Sequence, residues 1–194
     1  MGSRDEAEQV HALSVEEWRN WLHANHDTSS GAWLVFWRPA TGRPRVGYDD
    51  AVLEALCVGW IDGLHRPLDA ERTMQWFVPR SPRSSWSRVN KERVARLERE
   101  GRLLPAGARV IEAAKASGTW SVLDEADEMV LPPDLAEALD ARPPAREHWE
   151  SFPASVKRGL LSHVALAKRP ETRERRIAQV AENVRLGKRS PSRV

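Results

Sequence analysis

The sequence predicts a helix-dominated α+β fold, with a small antiparallel sheet in the N-terminal part and an all-helical C-terminal part. Three observations carry this prediction. Trp33-Leu34-Val35-Phe36-Trp37 is an unbroken apolar run, as expected of a strand buried on both faces. A second short aromatic run surrounds Trp76 and Phe77. After Gly118 the stretches open on or beside Pro or Asp, and their apolar residues recur at helical spacing, which reads as consecutive helices.

The elements follow in order. Ser14 with Glu17 three residues on is a capping box, and Leu13 is placed to staple against Trp18. Trp18, Trp21 and Leu22 then form an i, i+3, i+4 stripe that lies on a core. The first strand spans 32–38 and ends at Pro39 and the Thr41-Gly42-Arg43-Pro44 turn. Asp49 and Asp50 suit the positive end of a second helix, whose stripe is Leu53, Leu56, Cys57 and Trp60 and whose end is expected at Asp62-Gly63. A second strand is predicted over 73–78. The loop from Pro79 leads to Ser85 or Ser87 as cap of a helix reaching about Glu100, closed by Gly101. Pro105 starts the next helix, with Val110, Ala113 and Ala114 inward. The acidic segment 124–130 and Leu131-Pro132-Pro133-Asp134 mark a joint. Asp134, Pro143-Pro144, Pro153 and Pro170 then open four helices. The last two carry Val156, Leu160, Leu161 and Val164, then Ile177, Val180, Ala181 and Val184. Gly187 ends the last, and 188–194 reads as a disordered tail. The organisation expected is an α+β core domain over 12–118 and a helical domain over 129–188.

Bulk properties exclude some classes. Hydrophobic residues are 41% of the 194 and charged residues 30%, so a core can form. No run approaches the roughly 20 apolar residues of a spanning helix, and no membrane insertion is expected. Met1 to Glu6 has no signal-peptide apolar region, and Glu6 stands where myristoylation wants Ser or Thr. The single cysteine, Cys57, makes no internal disulfide. A cytoplasmic protein is expected. Net charge is +2 but unevenly placed: nine basic and three acidic residues over 80–109, two and nine over 119–150, eleven and three over 156–194. That asymmetry suits either an anionic partner or oppositely charged segments packed together.

The candidate binding residues are Trp60, Asp62, Trp76, Arg80, Trp86, Ser87 and Asn90. Trp60, Trp76 and Trp86 offer flat walls, and Arg80 and Arg83 lie close to them in sequence, a combination suited to an anionic or planar ligand. Most of the nine tryptophans must nevertheless be core. Asp62 falls at the unfavourable end of a helix dipole, so Arg66, Arg80 or a bound cation should compensate it. Asn90 shares a face with Val94 and Leu97 and needs partners, with loop anchoring weighed ahead of ligand contact. His65 near Asp62 is a candidate acid–base group, with a plain surface histidine as its alternative. His23 and His26 lack a third metal ligand, and Cys57 reads as core. No dinucleotide, P-loop or zinc-protease motif occurs; no cofactor and no metal are expected.

The segments Trp60-Ile61-Asp62-Gly63, Trp76-Phe77-Val78-Pro79-Arg80 and Ser85-Trp86-Ser87-Arg88-Val89-Asn90-Lys91 resemble the YdeI/OmpD-associated family. The resemblance continues through Gly101-Arg102, Pro105-Ala106-Gly107 and Ile111-Glu112-Ala113-Ala114-Lys115 to Ala167-Lys168-Arg169-Pro170-Glu171-Thr172-Arg173, and covers the chain from about Leu13 to Gly187. Gly47 departs from it, standing where Ser or another capping residue is expected. The resemblance implies a bacterial cytoplasmic protein linked to protection against bacteriocins and cationic antimicrobial peptides, or to envelope stress, and implies no established reaction. The function expected is binding of a small molecule or peptide at a Trp/Arg-lined site. An enzyme acting on an antibiotic or metabolite through Asp62 or His65 comes second, and nucleic-acid binding by the basic C-terminal helices third.

Overall fold

The computed structural model describes residues 6–190. The expectations for Met1 to Asp5 and for the tail beyond Ser190 lie outside them. In chain order the elements are β1 (Gln9–Val10), α1 (Val15–Asn25), β2 (Ala32–Trp37), α2 (Tyr48–Cys57), β3 (Trp60–Pro67), β4 (Arg72–Pro79), α3 (Arg88–Arg99), α4 (Pro105–Ala116), α5 (Asp124–Asp127), α6 (Pro133–Asp140), α7 (Ala145–Ser151), α8 (Ala154–Ala165) and α9 (Pro170–Arg185). A short 3-10 turn covers Pro39–Thr41. The fold is α+β, with every strand in the N-terminal part and an all-helical C-terminal part. The chain divides into two compact units: one runs to Ser84 and resumes over Val89–Ser117, and the other combines Ser85–Arg88 with the chain from Gly118.

The first unit is built on a sheet of order β1-β2-β4-β3. The aromatic run becomes β2, and Trp37 alone in it is not buried. It pairs antiparallel with β4 from Ala32 opposite Phe77 to Trp37 opposite Arg72. The antiparallel expectation is extended rather than met throughout, because the two-residue β1 joins β2 in parallel. Strand alternation sorts the side chains. Trp33, Val35, Met74 and Trp76 cluster on one face. On the other, Trp18 of α1 packs 5.2 Å from Phe77. Ser14 caps α1 as expected, its hydroxyl accepting from Glu17 N at 3.2 Å, while the Glu17 carboxylate accepts from Leu13 N. Leu13 itself remains exposed.

The stretch around Asp62 corrects the sequence reading. The helix does not run to Asp62-Gly63; α2 stops at Cys57, and Trp60 opens an eight-residue strand. Gly59, at φ +79°, makes the turn, a backbone state that costs glycine nothing. A Cβ there would lie 2.8 Å from Val110 Cγ2. The helical spacing Leu53, Leu56, Cys57, Trp60 is satisfied, yet its last member belongs to β3, where Trp60 and Ile61 pair with Pro79 and Val78. Asp62-Gly63 lies at a bulge between Asp62 and His65. Asp62 therefore does not stand at the C-terminal end of α2.

Helices α2 and α4 touch backbone to backbone. Leu104 N donates to Cys57 O at 3.0 Å, and a Cβ on Gly107 would fall 2.5 Å from that same oxygen. The inward face of α4 is Gly107, Ile111 and Ala114, in place of the expected Val110 and Ala113. The buried carboxylate of Glu54 is held by Arg19 through two hydrogen bonds of 2.8 and 2.9 Å and by Arg102. Paired arginines offset the desolvation of a charge taken out of water.

The second unit buries Leu135, Leu139, Trp149, Leu160, Leu161, Val164, Val180 and Val184 around α9. Pro132, not Asp134, occupies the cap position of α6; Asp134 lies in the first turn and accepts from Leu135 N. It also pairs with Arg173 at 2.7 Å, and Asp127 meets Arg158 at 3.5 Å. Within this unit the acidic and basic segments do pack together. The start of the expected tail is tied back: Lys188 N donates to Asn183 O and Asn183 Nδ2 to Ser190 O.

Candidate functional site

The face of the sheet that carries Phe77 continues past the aromatic contact with α1. On β4 it presents Gln75 and Thr73, on β2 Phe36, and on β3 Asp62 and His65, which pair with Phe77 and Gln75. These residues line an open groove of about 840 Å³, walled by Arg38, Pro39 and Ala40 after β2 and by Arg45 and Tyr48 at the entry to α2. That volume falls in the usual range for small-ligand sites.

Polar groups converge on the groove with few protein partners. The Tyr48 hydroxyl donates to Asp62 Oδ2 at 2.6 Å. Burial and then this bond to the carboxylate push the phenol up to about 12. Gln75, itself buried, donates through Nε2 to Gly63 O at 2.8 Å. The Arg38 side chain is half-buried, and its Nε is buried without a hydrogen bond. Neither Arg38 nor Arg45 forms an ion pair among the described residues, and Asp62 forms none either. An arginine fork left without a carboxylate is suited to an anion carried by a ligand.

The expected site residues are distributed over several places. Asp62 lies in the groove, compensated by neither Arg66 nor Arg80 through an ion pair but by the Tyr48 hydroxyl. Trp60 and Arg80 line a separate, smaller pocket of about 260 Å³ with His26 and Arg109. Trp60 is buried there, its Nε1 donating to His26 O at 3.2 Å and its ring centroid lying 5.9 Å from that of Trp21 in a T-shaped contact. Arg80 is also buried; burial lowers its guanidinium to about 10, against the opposing charge of Asp62, so it stays cationic at neutral pH. Trp76 sits on the opposite sheet face, 5.2 Å from Trp33. Trp86 and Ser87 belong to the second unit, where Trp86 is buried 4.9 Å from Trp120. Asn90 accepts from Arg93 Nη1 at 2.8 Å, and Arg93 in turn pairs with Asp49 beside Tyr48.

Arg38, Arg45, Tyr48, Phe36 and Gln75 were not singled out by sequence reasoning. One signal in the sequence points to Gln75 alone of these. Thr73 and Gln75 interrupt an otherwise apolar strand at alternate positions, so both must face the same open surface. Among the described residues no three His, Cys, Asp or Glu side chains gather as a metal site, and no helix is long and apolar enough to cross a membrane. Cys57 is buried, with burial and Glu54 pushing its thiol up to about 11.

Comparison with family models matches residues 10–110 to one described as a domain of unknown function (DUF8412). Residues 128–187 match a second, described as bacteriocin-protection, YdeI or OmpD-associated. No curated protein and no solved structure matches the chain.

Proposed function

Because the chain belongs to the family described as a domain of unknown function (DUF8412), and carries a bacteriocin-protection, YdeI or OmpD-associated domain at residues 128–187, we propose that it is a cytoplasmic antimicrobial-protection protein whose first unit binds a small molecule or peptide. The binding site is the groove over Phe36 and Gln75. One observation carries this reading: Arg38, Arg45 and Asp62 line a single groove, and none of them has an ion-pair partner among the described residues. The Arg38 Nε, buried without a hydrogen bond, costs stability unless a ligand or water satisfies it.

Trp60 and Arg80 support the groove from the neighbouring pocket, and Asn90 does so through Arg93 and Asp49. The test is protection of cells by Arg38→Gln and Asp62→Asn variants of unchanged thermal stability. Loss of protection is expected; full protection by both rejects the groove as the working site. A second reading is favoured by His65 and Asp62 lining the same groove: an enzyme using them as acid–base groups. It requires time-dependent turnover of a bound compound, abolished in Asp62→Asn.

A further inference from the structure

The groove is bipolar along its length. Arg38 follows Trp37, which pairs with Arg72 at one end of β4, whereas Asp62 pairs with Phe77 five residues further along the same strand. At about 3.4 Å per residue those levels are roughly 17 Å apart. Between them the floor is Phe36, Thr73 and Gln75. Gln75 commits Nε2 to Gly63 O, and among the described residues its side chain makes no other hydrogen bond, so its Oε1 is left to accept an N–H at mid-groove. Tyr48 donates to Oδ2 of Asp62; among the described residues no hydrogen bond reaches its other oxygen, which can accept from an ammonium even with the charge of Arg80 nearby.

From this arrangement we propose that the groove takes a short linear peptide with free termini. Its carboxylate lies in the guanidinium fork of Arg38, its ammonium on Asp62, and one backbone N–H on Gln75. The inference rests on the reading of the groove as a binding site and adds the class and orientation of the ligand. An extended chain covers about 3.3–3.6 Å per residue, so three to five residues bridge the two charges once the reach of the arginine is subtracted.

The test is NMR of the full chain, following the Arg38 Nε–H and Gln75 side-chain signals. The probes are a pool of linear pentapeptides with free termini, the same pool N-acetylated, the same pool C-amidated, and a pool of uncharged organic fragments. The free pool is expected to shift both signals. C-amidation and Arg38→Gln should each weaken binding about tenfold or more, as should N-acetylation and Asp62→Asn. Equal binding of blocked and free pools, or shifts with the fragments alone, overturns the peptide assignment and leaves the groove as a ligand site. Silence of both signals with every pool overturns the groove reading as well.

Discussion

At the scale of single residues, Tyr48 is the most informative probe because it is the only tyrosine in the chain. Its alkaline absorbance titration is expected to have a midpoint of about 12 and to fall only part of the way in Asp62→Asn, because burial, the larger cause, remains. A raised folded pKa means that the folded state holds this proton more tightly. The associated stability is complete below the unfolded value near 10 and is lost as pH rises through the folded value. Urea midpoints measured across that window in the parent and in Asp62→Asn check the sign. Cys57 gives a second residue-scale prediction. With its thiol raised from 9.0 to about 11 and its side chain buried, the native protein should react with a thiol reagent at least about a hundredfold more slowly than the denatured chain.

At the scale of elements, the contact between α2 and α4 is the most demanding in the first unit. Gly107→Ala would set a methyl 2.5 Å from Cys57 O and 2.9 Å from Leu56 O, both backbone atoms that cannot rotate away. Overpacking of this kind costs about 1–3 kcal/mol, and the denaturant midpoint should drop accordingly. Gly101→Ala is the control for handedness alone: φ is +65° there, and nothing lies within 4 Å of the added carbon. Its cost should be about 1 kcal/mol. In the second unit, Trp149→Ala removes a side chain at the centre of the α6–α9 core, and a loss of about 3–5 kcal/mol is expected.

At the scale of the whole molecule, uneven charge along the chain becomes internal pairing within the second unit. Arg173 holds the Asp134 carboxyl below its ordinary range. The stability this brings is present above the unfolded pKa and lost as pH falls through the folded one. Arg185 is paired with Glu182, and Arg176 donates to His163 O. Oligonucleotide binding should therefore be weak, with a shallow dependence on salt. A steep dependence, measured by fluorescence anisotropy across a salt series, would restore the nucleic-acid reading.

The periodic patterns that carry over from sequence to structure are those set by local chemistry. The Ser14 cap, the Pro starts of α4 and α9, the two-sided burial of β2 and the core stripes of α8 and α9 all follow from neighbouring residues in the chain. Six of the nine tryptophans are buried, as their bulk demands. Tertiary structure decided the rest. Trp60 fits a helical stripe and a strand equally well by spacing, and only pairing with Pro79 and Val78 makes it a strand residue. The groove brings Arg38, Tyr48, Asp62 and Gln75 together from β2, α2, β3 and β4. Sequence alone determined the fold class and the core helices, because helical periodicity is written within a few residues. Which polar side chains share a cavity depends on strand register and on where the helices stop covering the sheet, and those are properties of the assembled fold.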